Sequence, residues 1–265
     1  MTGKKKPKTI RPIRPNAGVE AWYRRQLDKQ VQEMQASVVY WLSANYRASG
    51  AAVAMDESPA DVMRKAMNKL VKRWKRRFDD MAQKLADRFA NDTMKNADAS
   101  LATAFKDAGF TVEFKMTSQM NNALQATIAE NVGLIRSIPE KYFTEVEGLV
   151  MRSVARGRDL SYLTDELQKR YGITRRRAAF IARDQNNKAT AVVQSARQQA
   201  LGITQGIWKH SHAGKKPRQS HVKANGRLFD LSEGMLIDGE RIMPGELPSC
   251  LCTWEAVIPG LSKQD

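Results

Sequence analysis

Cysteine and histidine are scarce in this chain of 265 residues, with two of the first and three of the second. The cysteines, Cys250 and Cys252, stand two positions apart, so no disulfide framework holds the fold together and a reducing compartment is expected. Long apolar runs are missing as well: no stretch approaches the roughly 18 apolar residues that span a bilayer. The basic N-terminus leads into Thr9-Ile10-Arg11-Pro12-Ile13-Arg14-Pro15, which is not the apolar core of a secretory signal. Acid is in short supply, with 28 Asp plus Glu against 44 Lys plus Arg and a net charge of +16. Apolar residues make up 42% of the chain, enough for one or two packed cores and too many for a wholly disordered protein.

The excess of base is concentrated in two blocks that contain no acid. Residues 1–14 carry Lys4, Lys5, Lys6, Lys8, Arg11 and Arg14, and residues 64–77 include Lys69, Lys72, Arg73, Arg76 and Arg77. The remainder of the chain is close to neutral. Such blocks bind polyanions by counterion release without reading sequence, which points to nucleic acid or another acidic surface. A disordered, solubilising tail over residues 1–16 and a solvated helix face account for the same charges without a partner.

Hydrophobic spacing predicts a long helical half. Leu27, Val31, Met34, Val38 and Trp41 recur at three and four residues, as do Met67, Leu70, Trp74, Phe78, Met81, Leu85 and Phe89, the stripes of two helices that pack on each other. Ser58 is placed to cap the second helix with Pro59 in its first turn. On that helix Lys69, Lys72, Arg73, Arg76 and Arg77 fall away from the apolar stripe. Phe110, Val112 and Phe114 alternate as in a short strand, and Pro139 is expected to break the helical pattern that follows. Ser161 and Gly172 bracket one short helix, and Thr174 starts another that Gly202 closes. The polar run Asp184 to Lys188 on that last helix reads as an exposed turn with a local Arg183–Asp184 salt bridge, the other reading being a hydrogen-bonded surface that meets a partner or lines a site.

Beyond Gly202 the helical period stops. Strands are expected at Ile203–His210, Gly226–Asp230 and Thr253–Ile258, making the chain α+β: a basic tail (1–16), a helical domain (17–157) and a small mixed module with an antiparallel sheet (158–265). His210, His212 and His221 and both cysteines all lie in that module. Imidazole and thiolate are zinc ligands, so Cys250, Cys252, His221 and His212 (or His210) form a candidate zinc site, with reduced, metal-free cysteines as the other reading. No other cofactor is indicated. Metal-assisted phosphodiester hydrolysis is conceivable for such a cluster in a basic segment, but no H-x-x-E-H or paired-carboxylate pattern accompanies it.

The run Arg177-Ala178-Ala179-Phe180-Ile181-Ala182-Arg183-Asp184-Gln185, then Gly202-Ile203, Trp208, Arg218-x-x-His221, Gly226-Arg227-Leu228-Phe229, Gly239 and Pro244-Gly245-x-x-x-x-Cys250-Leu251-Cys252 resembles the C-terminal module of phage Mu protein F-like head morphogenesis proteins, also called minor head or minor capsid proteins. The resemblance covers about residues 158 to 260. It implies a structural, non-enzymatic virion protein of a tailed bacteriophage, made in the host cytoplasm and carried in the capsid interior near the portal vertex. It also implies a part in head morphogenesis, DNA packaging or DNA delivery, with the portal protein, the major capsid or scaffolding protein and DNA as partners and no membrane. A metal-dependent nuclease and a cellular nucleic-acid-binding protein are the alternatives. In members of that family an acidic residue commonly precedes the R-x-x-H element and the cysteines read C-R-C; here Lys215, Lys216 and Leu251 stand there instead.

Overall fold

Four long helices and a small antiparallel sheet make up the computed structural model, which describes residues 7–51, 58–156, 159–213 and 216–262. Strand β1 (Pro7–Ile10) precedes helices α1 (Ala17–Ala51), α2 (Pro59–Asp107), α3 (Ser118–Ala155) and α4 (Leu160–Ala200). There follow β2 (Gln205–Lys209), α5 (Gln219–Ala224), β3 (Leu228–Asp230), β4 (Met235–Ile237), β5 (Glu240–Ile242) and β6 (Thr253–Ser262). One sheet has the order β1-β6-β2-β3 with every pair antiparallel, and β4 pairs with β5 in a second, two-stranded one. The α+β class expected from the sequence is the class observed. No described helix is long and apolar enough to cross a membrane.

The described residues fall into two compact units, and each of the four long helices contributes to both. The first unit comprises Ala21–Asp87 and Ala129–Ala182. Its core is the predicted pair of stripes: Leu27, Val31, Met34 and Val38 on α1 and Met67, Leu70, Trp74 and Phe78 on α2 are all buried. Trp41, expected on the first stripe, is instead 44% exposed, and Leu42 takes the buried position. Gln35 and Tyr142 are paired inside the unit, as buried polar groups mostly are: the Tyr142 hydroxyl donates to Gln35 Oε1 at 2.5 Å, and Gln35 Nε2 donates to the Leu167 carbonyl at 3.2 Å. Burial holds the Tyr142 and Tyr23 phenols above their ordinary pKa. The expected cap is present, with the Asp61 N–H donating to Ser58 Oγ at 3.2 Å.

Several local expectations are overturned. Helix α4 is continuous through Gly172 and Thr174: the buried stripe Leu163, Leu167, Thr174, Ala178, Ile181 never loses its period, and the Thr174 hydroxyl donates to the Arg170 carbonyl at 2.9 Å as a mid-helix threonine does. Its N-terminal cap is Asp159, whose carboxylate accepts the Tyr162 N–H at 2.9 Å, rather than Ser161. Pro139 lies inside α3, where buried Ile135, Ile138 and Tyr142 keep the helix on its neighbours despite the missing N–H. Residues 110–117 form no strand; Phe114 packs edge-on against Phe105 instead. Residues 7–16, expected in a disordered tail, supply β1 and two fully packed side chains, Ile10 and Ile13. Lys4, Lys5 and Lys6 lie outside the described residues.

The second unit holds the sheet and comprises the described parts of Met1–Glu20, Arg88–Ile128 and Arg183–Asp265. Gly202 (φ 76°) ends α4 as expected: its N–H donates to the Gln199 carbonyl and that of Ile203 to the Gln198 carbonyl, at 2.9 and 3.0 Å. The core is aromatic. Trp208 faces Trp254 across β2 and β6, and Phe229 packs edge-on against both. The rings sit close to β2 because Gly206 has no Cβ; one placed there would lie 2.8 Å from Trp254 and 3.0 Å from Phe229.

Candidate functional site

The site is built where three separate stretches of sequence meet the tip that precedes β6. Helix α5 carries His221, which is buried with its Nδ1 3.4 Å from Cys250 Sγ and 3.7 Å from Cys252 Sγ. Both cysteines are buried free thiols. Arg218, three residues before His221, donates from Nη2 to the Pro248 carbonyl at 3.0 Å. On α4, Asp184 Oδ1 accepts the Ser249 N–H at 2.7 Å, while its other oxygen pairs with Lys188 at 3.3 Å. The Gly245 N–H points at Cys250 Sγ at 3.4 Å, and Trp208 closes one side by packing edge-on against the His221 ring, 5.3 Å between centroids. Asp184, the R-x-x-H element, Gly245 and the C-x-C pair therefore grip one another through residues 244–252.

Two thiols this close share a proton. Cys250 is pushed down to about 5, first because the Cys252 thiol donates to it, and further by the backbone N–H groups of Cys252 and Gly245, against the cost of burial. Cys252 is correspondingly held above the ordinary thiol range by that same bond and by burial. Burial and the nearby His212 hold the His210 imidazole below its usual value. Cysteine thiolate and imidazole are a donor set suited to zinc. Among the described residues His221, Cys250 and Cys252 are the group of His, Cys, Asp or Glu side chains whose ligand atoms all lie within 4.8 Å of one another. His212, expected as a fourth ligand, is exposed and stands apart from that group, beside His210 at the rim of a cavity of about 650 Å³. Cys252, Arg14, Arg183, Asn187 and Lys209 also line this cavity.

The polar run on α4 corrects an expectation. Asp184, Gln185 and Asn186 are 5%, 2% and 1% exposed, not an outward-facing turn. Asp184 holds the tip, and Asn186 donates to the backbone carbonyl of Asn16 at 3.0 Å; Asn16 in turn caps α1 through the N–H groups of Gly18 and Val19. Ser249 adopts φ 60°, a conformation unfavourable for a residue with a Cβ, and the Asp184 carboxylate holds it there. Replacing Asp184 by alanine should cost about 1.5–3 kcal/mol, the range for a lost charge-assisted hydrogen bond. It should also raise the rate at which a thiol reagent modifies Cys250 and Cys252. Unchanged thiol kinetics with unchanged stability would deny Asp184 this positioning role.

The proposed DNA contacts divide. Lys8 is half-buried, with its ammonium 5.0 Å from the centre of the Phe110 ring, and Arg11 is paired with Asp107 at 3.0 Å. Arg77 is engaged by Gln30 and Glu33 and lies over Trp74. Lys69, Lys72, Arg73 and Arg76, by contrast, are all exposed on α2 with no acidic partner among the described residues. Lys69 and Arg73 line a groove of about 510 Å³ together with Trp41, Lys65 and Leu70.

A family model described as phage Mu protein F like protein matches residues 144–255. An uncharacterized protein of Haemophilus influenzae is 26% identical over 264 residues, covering 96% of this chain and 57% of the relative; the chain thus spans little more than half of that relative's length. No solved structure matches. Every element that converges on the cysteine tip, from Arg183-Asp184 through Arg218-x-x-His221 to Cys250-x-Cys252, lies within the matched segment. Over residues 144–255 the chain is thus similar to the phage Mu protein F-like family.

Proposed function

We propose that this protein is a minor head component of a tailed bacteriophage, carried inside the capsid beside the portal, where it serves head morphogenesis and the packaging or delivery of DNA by binding rather than catalysis. The observation that carries the reading is the match over residues 144–255, together with the convergence of the matched motifs into one buried, tightly bonded tip. Its partners are the portal protein, the major capsid or scaffolding protein, and double-stranded DNA held without sequence preference. Its places are the host cytoplasm during assembly and then the virion. The four exposed bases of α2 support the DNA contact, because charges without an internal partner remain available for phosphate.

The DNA contact is tested by changing Lys69, Lys72, Arg73 and Arg76 together to glutamine. Exposed helix positions tolerate such changes with little loss of stability. Each lost phosphate contact flattens the dependence of log K on log salt by about 0.9, so the slope measured on duplex DNA should fall by about 3 to 4. An unchanged slope would remove this ridge from the DNA interface. Co-expression with the portal protein from the same phage tests the assembly half: the two should co-purify, and failure to do so in assembled proheads would reject it.

A further inference from the structure

We propose that His221 Nδ1, Cys250 Sγ and Cys252 Sγ bind one zinc ion, with no fourth protein ligand and the remaining coordination position served by solvent from the cavity that Cys252 borders. The inference rests on the donor geometry alone and is independent of the head-protein reading.

Three observations carry it. The first is distance. Zn–S bonds near 2.3 Å and Zn–N bonds of 2.0–2.1 Å at tetrahedral angles place nitrogen and sulfur about 3.5 to 3.6 Å apart. The two separations here, 3.4 and 3.7 Å, bracket that value, and all three donor atoms lie within 4.8 Å of one another. The second is direction. A single imidazole nitrogen facing two sulfurs at nearly equal range can exchange a proton with only one of them, whereas a cation among the three serves every donor at once. The third is support. His221, Cys250 and Cys252 are 3%, 4% and 8% exposed, the Gly245 N–H is directed at Cys250 Sγ, and Arg218 and Asp184 fix the chain on the N-terminal side of the cysteines. The C-x-C spacing, tighter than that of most structural zinc pairs, works here because the loop turns through Ser249 at φ 60° immediately before the first thiol.

The open position follows from where the other histidines are. His212 is exposed, and the Nδ1 of His210 accepts the His212 backbone N–H at 3.1 Å. Both line the cavity without joining the donor group. Three protein ligands with one exchangeable position distinguish this centre from closed four-ligand structural sites.

The full-length chain, purified without a metal-binding tag under reducing conditions, should contain one zinc per molecule by elemental analysis. Replacement by cobalt(II) should give the near-ultraviolet absorption of thiolate-to-cobalt charge transfer. An organomercurial that caps the thiols should release one equivalent of zinc to a chromogenic chelator, a measurement that needs no variant to fold. Cys250→Ser, Cys252→Ser and His221→Ala should each lose the metal, whereas His210→Ala and His212→Ala should retain it in full. A folded wild-type chain that holds no zinc and gives no cobalt signal would overturn the site. Loss of metal in His210→Ala or His212→Ala would overturn the three-ligand assignment.

Discussion

Replacing Arg197 by alanine should destabilise the sheet-bearing unit by about 3–5 kcal/mol, the range for leaving one partner of a buried ion pair alone. Arg197 is only 4% exposed. Its Nε and Nη2 donate to the two oxygens of Asp98, each at 2.8 Å, and its Nη1 donates to the Lys115 carbonyl at 2.5 Å. The guanidinium also lies 5.2 Å from the centre of the Phe114 ring. Truncation would leave a part-buried carboxylate and a backbone carbonyl without their donor, and a gap above the ring. Arg197→Lys keeps the charge but cannot form the paired bonds or lie flat on Phe114, so it should recover no more than part of the loss. Denaturant unfolding of the three proteins reads this directly. A loss under about 1 kcal/mol for Arg197→Ala would place the pair among weak surface bridges.

Arg197 also shows where sequence reading stops. A stripe such as Leu27, Val31, Met34, Val38 announces a buried face because its period is local, and capping at Ser58 and closure at Gly202 are local in the same sense. Nothing local distinguishes Arg197 from the neighbouring polar residues of α4, since its partners Asp98 and Lys115 are about a hundred and about eighty positions away, respectively. The run Asp184 to Lys188 misleads for the same reason: five polar residues look like solvent-facing surface until the tip at Ser249 and the cap at Asn16 arrive to bond Asp184 and Asn186. Gly172 and Pro139 carry strong local stop signals, yet both helices run on, because a continuous buried stripe outweighs one unfavourable residue. Histidine and cysteine clustering made the site visible, but not its members: His221 joins Cys250 and Cys252 through the turn of α5, and His212 is carried to the rim of the cavity. The short strands β1, β4 and β5 left no alternation long enough to read, three or four residues each.

Trp254→Ala should cost about 3–5 kcal/mol, the range for removing a large aromatic side chain from a core, and it should loosen the cysteine tip as well. Trp254 is fully buried. It stands opposite Trp208 in the β2–β6 ladder, packs edge-on against Phe229 at 6.3 Å, and covers the bare backbone of Gly206. Its indole N–H donates to Gln198 Oε1 at 2.7 Å, so alanine leaves both a void and a buried amide oxygen without its donor. Trp254→Phe fills most of the void and loses only the hydrogen bond, which should reduce the cost to about 1–2 kcal/mol. Leu228→Ala, at a position 53% exposed on the same sheet, should stay within about 0.5 kcal/mol. Strand β6 begins immediately after Cys252 and carries Trp254 as its second residue, so a void there also frees the segment that holds the thiols against His221. Urea unfolding monitored by far-ultraviolet circular dichroism gives the three stabilities, and thiol-reagent kinetics in the absence of denaturant reads the tip. Equal costs for Trp254→Ala and Leu228→Ala would mean that the aromatic cluster does not organise this sheet. A large cost without faster thiol modification would mean that Asp184 and Arg218 alone secure the cysteines.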